Sequence, residues 1–257
     1  MRFMLALLSS TLLSSVVFAQ NSAPVAPVVS NTPVTKEQIP ALVKEALLND
    51  PSILTEAVEK LRATKEVEAK KQAKEGVSKY KQELYSDVNS PSYGANDADI
   101  TIVEFFDYHC GYCKQLLPTI TKILEKDKKI RVVFKEFPIL SEDSVLASRA
   151  ALAVNRIDKD KYFAFHTALM NVKGRFDERT IFDAAKKLSI DIAKLKAEMA
   201  KPEIEAILDS NRKLGEALAI TGTPVTIIGT EVTSGALPLD MVQKLVADAR
   251  LSAKSTK

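Results

Sequence analysis

Thr101-Ile102-Val103-Glu104-Phe105-Phe106-Asp107-Tyr108-His109-Cys110-Gly111-Tyr112-Cys113-Lys114 is the stretch that decides how this chain folds. Its first eight residues, mostly apolar, read as a buried strand, and its last opens a helix-like run to about Lys126. Cys110 and Cys113 are the only two cysteines among 257 residues. There is no third thiol for a structural bridge and no second pair to complete a zinc site. A thiol at a strand-to-helix turn lies against the helix N-terminus, where unpaired N–H groups and the macrodipole favour an anion. Such a setting lowers a thiol pKa and makes the sulfur a nucleophile. An inert bridge spanning two residues would close too small a loop to stabilise much, so the pair is read as redox-active.

Beyond this stretch, Ile130-Arg131-Val132-Val133-Phe134-Lys135-Glu136-Phe137 is a second apolar strand. Strand, helix and strand make a βαβ unit and imply a parallel pair. A helical region from about 142 to 219 follows, in pieces Ser144–Val154, Lys161–Met170, Arg179–Leu188, Ile192–Met199 and Glu203–Ala219. Strand character returns at Val225-Thr226-Ile227-Ile228, Gly229-Thr230 turns the chain, and an amphipathic helix runs from about Pro238 to Arg250. Ser90-Pro91-Ser92-Tyr93-Gly94 reads as a boundary loop. The fold class is α/β, and no internal repeat is evident.

The N-terminal quarter is organised differently. Arg2 followed by an apolar run from Phe3 to Phe18, with small residues before a break after Ala19, reads as an export signal over residues 1–19. The run is short and broken by five serines or threonines, which argues against a membrane anchor. Residues 20–35, rich in Pro, Ala, Val and Ser, read as a flexible linker. Thr35 with Gln38 three residues on resembles a capping box. Ile39, Leu42, Val43, Ala46 and Leu47 then recur at helical spacing. Asp50 and Pro51 punctuate the chain before a second helix with Ile53, Leu54, Ala57, Val58 and Leu61 on one face. From Arg62 to Leu84 the composition is Lys/Glu/Ala-rich with a weak stripe of Ala73, Val77, Tyr80 and Leu84, which suits a solvated helical stalk. Helices this short hold no core alone. Residues 36–86 are therefore read as an oligomerisation region whose apolar face meets a second copy, the alternative being an extension packed on residues 87–252.

Composition narrows the function. A net charge of +3 from 36 basic and 33 acidic residues, without a basic stripe interleaved with aromatics, gives no case for nucleic-acid binding. Hydrophobic content of 46% supports a true core. An exported chain with a lone CxxC belongs in an oxidising compartment, and the periplasm is the expected location.

The order strand, CxxC, helix, strand, and later Thr223-Pro224 before another strand resembles the thioredoxin superfamily. The long helical insertion is similar to its DsbA branch. The run Val103 to Lys114 resembles the ScsC/Com1-like exported group, which carries an N-terminal extension for self-association. The resemblance implies a thioredoxin-like fold with an inserted helical domain behind an N-terminal helical stalk. It implies that Cys110 attacks, exposed to substrate, and that a more buried Cys113 resolves the mixed disulfide. Gly111-Tyr112 is the dipeptide that tunes redox potential, and it is similar to that of the isomerase DsbC, whereas the DsbA type carries Pro-His. Thr223-Pro224 resembles the cis-proline that pairs with extended substrate, and Pro118 the kinking proline of the active-site helix. Glu104 matches the acid beneath the active site that moves protons for the buried sulfur. A carboxylate in an apolar strand needs a partner or a raised pKa, and Lys135 on the neighbouring strand is a candidate partner. The alternative is an edge-facing surface glutamate. His109 either stabilises the thiolate of Cys110 or is a loop histidine facing solvent. His166, alone on a partly apolar helix, reads as structural.

The function expected is a thiol-disulfide oxidoreductase that forms or isomerises disulfides in exported and envelope proteins, leaning to isomerase with oxidase activity besides. It calls for no cofactor and no metal. Its partners would be cysteine-containing client proteins, a membrane redox partner of the DsbB or DsbD type, and further copies of itself as a homodimer or homotrimer. The alternative is a copper-binding protein that holds Cu(I) with the same thiols and His109. A third reading, an envelope structural or adhesion protein retaining a redox fold, is the weakest.

Overall fold

A computed structural model describes residues 33–255. The expected export signal and most of the expected linker lie outside the described residues. The chain divides into two compact units, Met1–Ala57 and Val58–Lys257.

In the first unit, helix α1 spans Ile39–Asn49. Gln38, not Thr35 as expected, is its N-cap residue and makes no side-chain cap bond; Gln38 Oε1 instead accepts the Thr35 N–H at 3.0 Å. Helix α2 spans Ser52–Lys79, and the boundary between the units falls within it. Asp50 caps its start, accepting the Ser52 N–H at 3.0 Å. Ile39, Leu42, Val43, Ile53 and Leu54 are all exposed on the single chain.

The second unit is built on a five-stranded sheet in the order β1-β3-β2-β4-β5: β1 (Ser92–Gly94), β2 (Ile100–Phe106), β3 (Ile130–Glu136), β4 (Val225–Ile228) and β5 (Glu231–Ser234). Only β2 and β3 are parallel; the other pairs are antiparallel. Ser90–Gly94, expected as a boundary loop, contributes the edge strand β1. It ends at Gly94, where φ is +120° and a Cβ would lie 2.4 Å from the Ile130 carbonyl oxygen, so only glycine fits.

Side-chain alternation sorts the central strands into two faces. Ile102, Phe106, Val132, Phe134 and Ile228 face the larger core, shared with α4 (Gly111–Lys126), α10 (Leu239–Ser255) and the helical insertion. Val103, Phe105, Val133, Val225 and Ile227 face a smaller core closed by Val77, Leu84, Leu214 and Ile220. A strand covered on both faces is apolar throughout, which is why β2 shows no clean polar alternation.

The smaller core corrects the solvated stalk at its C-terminal end only. Val77 in the last turns of α2 and Leu84 in α3 (Lys81–Tyr85) are fully buried, and a Cβ on Gly76 would meet Leu218 at 2.8 Å. Tyr85 Oη donates to the Gly229 carbonyl at 2.7 Å.

The insertion comprises α5 (Glu142–Ile157), α6 (Lys159–Met170), α7 (Glu178–Lys187), α8 (Ile192–Met199) and α9 (Pro202–Ala217). Ser141, Asp158, Asp177 and Asp191 cap the first four through side-chain acceptors, and proline opens the fifth. No described helix is long and apolar enough to cross a membrane.

Candidate active site

Cys110 is the N-cap of α4, with extended backbone dihedrals, and its sulfur accepts the Cys113 N–H at 3.4 Å. The turn before the helix is closed by the Cys110 N–H donating to the Asp107 carbonyl at 3.1 Å. Across the groove the Thr223–Pro224 peptide is cis, and Cys110 Sγ–H donates to the Thr223 carbonyl at 3.2 Å. The first residue of the CxxC and the loop before β4 thus meet at one point, although 113 positions separate them. Both cysteines are free thiols.

Cys110 is less open than expected: only 6% of it is exposed, while Gly111 and Tyr112 beside it are exposed. Cys113 is fully buried. Burial pushes its thiol pKa well above the usual value; a hydrogen bond from the Asp107 backbone opposes this, and the nearby Cys110 and Glu104 add to the rise. The two sulfurs are therefore placed differently: Cys110 Sγ lies at the helix mouth against the Cys113 N–H, and Cys113, one turn in, is a thiol that burial keeps protonated.

Glu104 lies on the larger-core face of β2, next to Phe134 on β3 and Thr226 on β4. It is buried, and burial alone raises its carboxyl pKa to about 8. Lys135 does not partner it. The register pairs Lys135 with Phe105, so its side chain leaves the opposite face of the sheet. There Lys135, 1% exposed, pairs with Asp87 at 3.0 Å and donates to Ser90 Oγ at 2.7 Å. This corrects the expected Glu104–Lys135 pair: strand register, which sequence spacing does not carry, separates them.

His109 is half-buried in the turn before Cys110. Its N–H donates to Asp107 Oδ1 at 2.7 Å, its Nε2 lies 3.9 Å from Asp143 Oδ2, and its ring meets Phe176 edge-on. Pro118 sits inside α4. His166 is buried and its pKa falls to about 3 by desolvation, so it is a neutral core histidine.

Sequence reasoning missed a buried polar cluster behind the site. Glu136 Oε1 accepts from Tyr108 Oη at 3.2 Å and Tyr162 Oη at 3.0 Å, and Tyr108 Oη also lies 3.2 Å from His166 Nδ1. Burial raises the Glu136 carboxyl to about 8. The signal available was a second acid, Glu136, inside an apolar strand, which the same reasoning that singled out Glu104 covers. Asp107, fully buried, was also missed. Among the described residues, no group of three His, Cys, Asp or Glu is placed to hold a metal ion.

A dithiol at a helix mouth, facing a cis-proline loop on a mixed sheet, defines a thiol-disulfide exchange site of the thioredoxin type. Residues 101–247 match the DSBA-like thioredoxin domain, more than half of the chain, and the protein belongs to that family as a DsbA-like thiol-disulfide oxidoreductase. Residues 36–69 match a second family, the copper resistance protein ScsC N-terminal domain. The catalytic domain of Proteus mirabilis ScsC is 34% identical, covers 68% of this chain and 97% of its own, and superposes with a TM-score of 0.64. The thiol-disulfide exchange protein alpha-DsbA2 of Wolbachia pipientis is 33% identical over 70% of this chain and 96% of its own, with a TM-score of 0.67. BcfH of Salmonella enterica Typhimurium covers 83% of this chain and 95% of its own at 26% identity and a TM-score of 0.73. The probable disulfide bond formation protein D of Bacillus cereus is 24% identical over 153 residues, 55% of this chain and 71% of that relative.

Proposed function

We propose that this protein is an exported disulfide isomerase, with oxidase activity besides, that works as a homodimer or homotrimer. The observation that carries the reading is the exposed apolar stripe of α1 and early α2, on a chain whose dithiol site lies in its other unit. The match of residues 36–69 to the ScsC N-terminal domain supports it. Association of copies through that stripe would place several dithiols around one client, which suits repeated reshuffling. The setting is the periplasm, in keeping with the likeness to a periplasmic thioredoxin-like protein of Salmonella enterica serovar Typhimurium. There a DsbB- or DsbD-type membrane protein would set the redox state of the pair.

The chemistry follows from the two sulfurs. The Cys110 thiolate attacks a client disulfide; a Cys110–client bond forms and a client thiolate leaves. In isomerisation another client thiolate attacks this bond and regenerates Cys110, with no net electron flow. In reduction Cys113 loses its proton and attacks Cys110 Sγ, the client leaves as a second thiolate, and two electrons pass to the client as the pair oxidises. Oxidation of a client dithiol is the reverse. Glu104, with a carboxyl near neutrality beside a thiol that burial keeps protonated, is the group to exchange that proton. Thr223 and Pro224 would seat the client backbone opposite Cys110.

Leu42→Glu with Leu54→Glu in the full chain tests the assembly. The double variant is expected to become monomeric and to lose recovery of scrambled ribonuclease while reducing insulin at the native rate. Full scrambled-ribonuclease activity in a monomer would refute the role of assembly in isomerisation. Copper binding is a second reading, favoured only by the name of the family matched at residues 36–69. The ligands it would use are the two sulfurs and His109. Cu(I) titration of the reduced protein against Cys110→Ser decides it.

A further inference from the structure

Asp107 ends the loop side of β2, is wholly buried, and has no part in the exchange steps above. Its carboxylate nevertheless accepts four hydrogen bonds. Oδ1 accepts from the His109 N–H and from Ser144 Oγ, each at 2.7 Å. Oδ2 accepts from the Ile139 N–H at 2.9 Å and the Leu140 N–H at 3.0 Å. Its carbonyl takes the Cys110 N–H at 3.1 Å. Three segments converge on this one residue: the turn that carries both cysteines, the lead-in from β3 to the insertion, and the first turn of α5. Ser144 is itself held by the α5 cap, its N–H donating to Ser141 Oγ at 3.1 Å.

We propose that Asp107 is a positioning residue for thiol exchange, anchoring the turn at residues 109–113 to the start of the helical insertion so that Cys110 Sγ stays at the mouth of α4 and opposite the Thr223 carbonyl. Hydrogen bonds to an ionised carboxylate are about twice as strong as neutral ones, and four of them, two on each oxygen, fix the carboxylate plane and the turn with it. Charge alone makes the opposite prediction. A buried anion near the turn opposes a thiolate by Coulomb repulsion, so an Asp107 acting only through charge would make Cys110 less reactive, and its neutralisation would speed the thiol.

Asp107→Asn keeps the shape but turns an amide N–H toward two of the four donors. Ser144→Ala removes one donor and keeps the charge. In the full chain, with folding checked by thermal unfolding, two readouts are compared: the rate of Cys110 alkylation across pH, and the equilibrium of the pair with glutathione. Asp107→Asn is expected to slow alkylation about tenfold and to move the equilibrium about tenfold toward the disulfide, the scale of a charge-assisted hydrogen bond. Ser144→Ala is expected to move both in the same direction by about two- to threefold. Unchanged or faster alkylation in a folded Asp107→Asn overturns the proposal. Should that variant fail to fold, an unchanged or faster Ser144→Ala overturns it as well.

Discussion

Glu104 carries a cost that the fold tolerates for the sake of its position. A carboxyl near 4.5 in the unfolded chain and about 8 in the folded one binds its proton more tightly when folded. The sign follows from linkage: with a raised folded pKa, the native state holds more protons between those values, so stability falls as pH rises from about 4.5 to about 8 and stays low above. At about 1.4 kcal/mol per unit, the penalty above pH 8 is at most about 5 kcal/mol. Glu104→Gln is therefore expected to be more stable than the native chain in urea at pH 8.5 by a few kcal/mol, with little difference at pH 4.5, and to resolve mixed disulfides more slowly. Equal stability of the two at both pH values would show that the carboxylate is compensated within the fold. The sulfurs invite a second test. Since Cys113 is buried with its thiol held protonated, iodoacetamide at neutral pH should label Cys110 alone, and Cys113→Ser should accumulate client mixed disulfides that Cys110→Ser never forms.

At the level of elements, what was legible depended on whether a pattern is local. β2, α4, β3, all five helices of the insertion, β4 and α10 follow from apolar runs and helical spacing, each decided within a few residues. The CxxC turn was legible for the same reason, because the helix that follows sets its chemistry. What needed tertiary information was not legible. β1 is three residues without alternation and is a strand only because β3 offers an edge. Lys135 looked like a partner for Glu104 because both sit in central strands; the register that pairs Glu104 with Phe134 puts the two on opposite faces. Asp107 reads as one acid at the end of an apolar strand, and its four donors come from three different segments. The stalk misled because only Val77 and Leu84 are fully buried in a long Lys/Glu/Ala-rich stretch. Leu84→Ala tests that burial: it should cost about 2–5 kcal/mol, as for other fully buried leucines, whereas Leu61→Ala on the exposed part of α2 should cost under about 0.5 kcal/mol. Urea titration of both variants gives the comparison, and equal midpoints would contradict the placement of α3 in the core.

For the whole molecule, the consequence concerns where the catalytic unit begins. Composition drew the line at residue 87, but the contact boundary falls after Ala57, and the smaller core draws on Val77 and Leu84. A chain starting at residue 87 would lose both side chains, each worth about 1.5–3 kcal/mol of burial. It would also lose Tyr85, whose hydroxyl donates to Gly229 and whose carbonyl accepts from Arg131. Against a typical total of about 5–15 kcal/mol for a domain, that loss is large enough to unfold much of the population. A chain starting at Val58 keeps every one of these contacts and gives up only α1, the first turns of α2 and the exposed apolar residues they carry. The Val58 chain is thus expected to unfold at nearly the native urea midpoint and to reduce insulin at the native rate, while the residue-87 chain shows a much lower midpoint and binds a hydrophobic dye. If the residue-87 chain matched the native midpoint, Val77 and Leu84 would be ornaments on the sheet rather than part of its core.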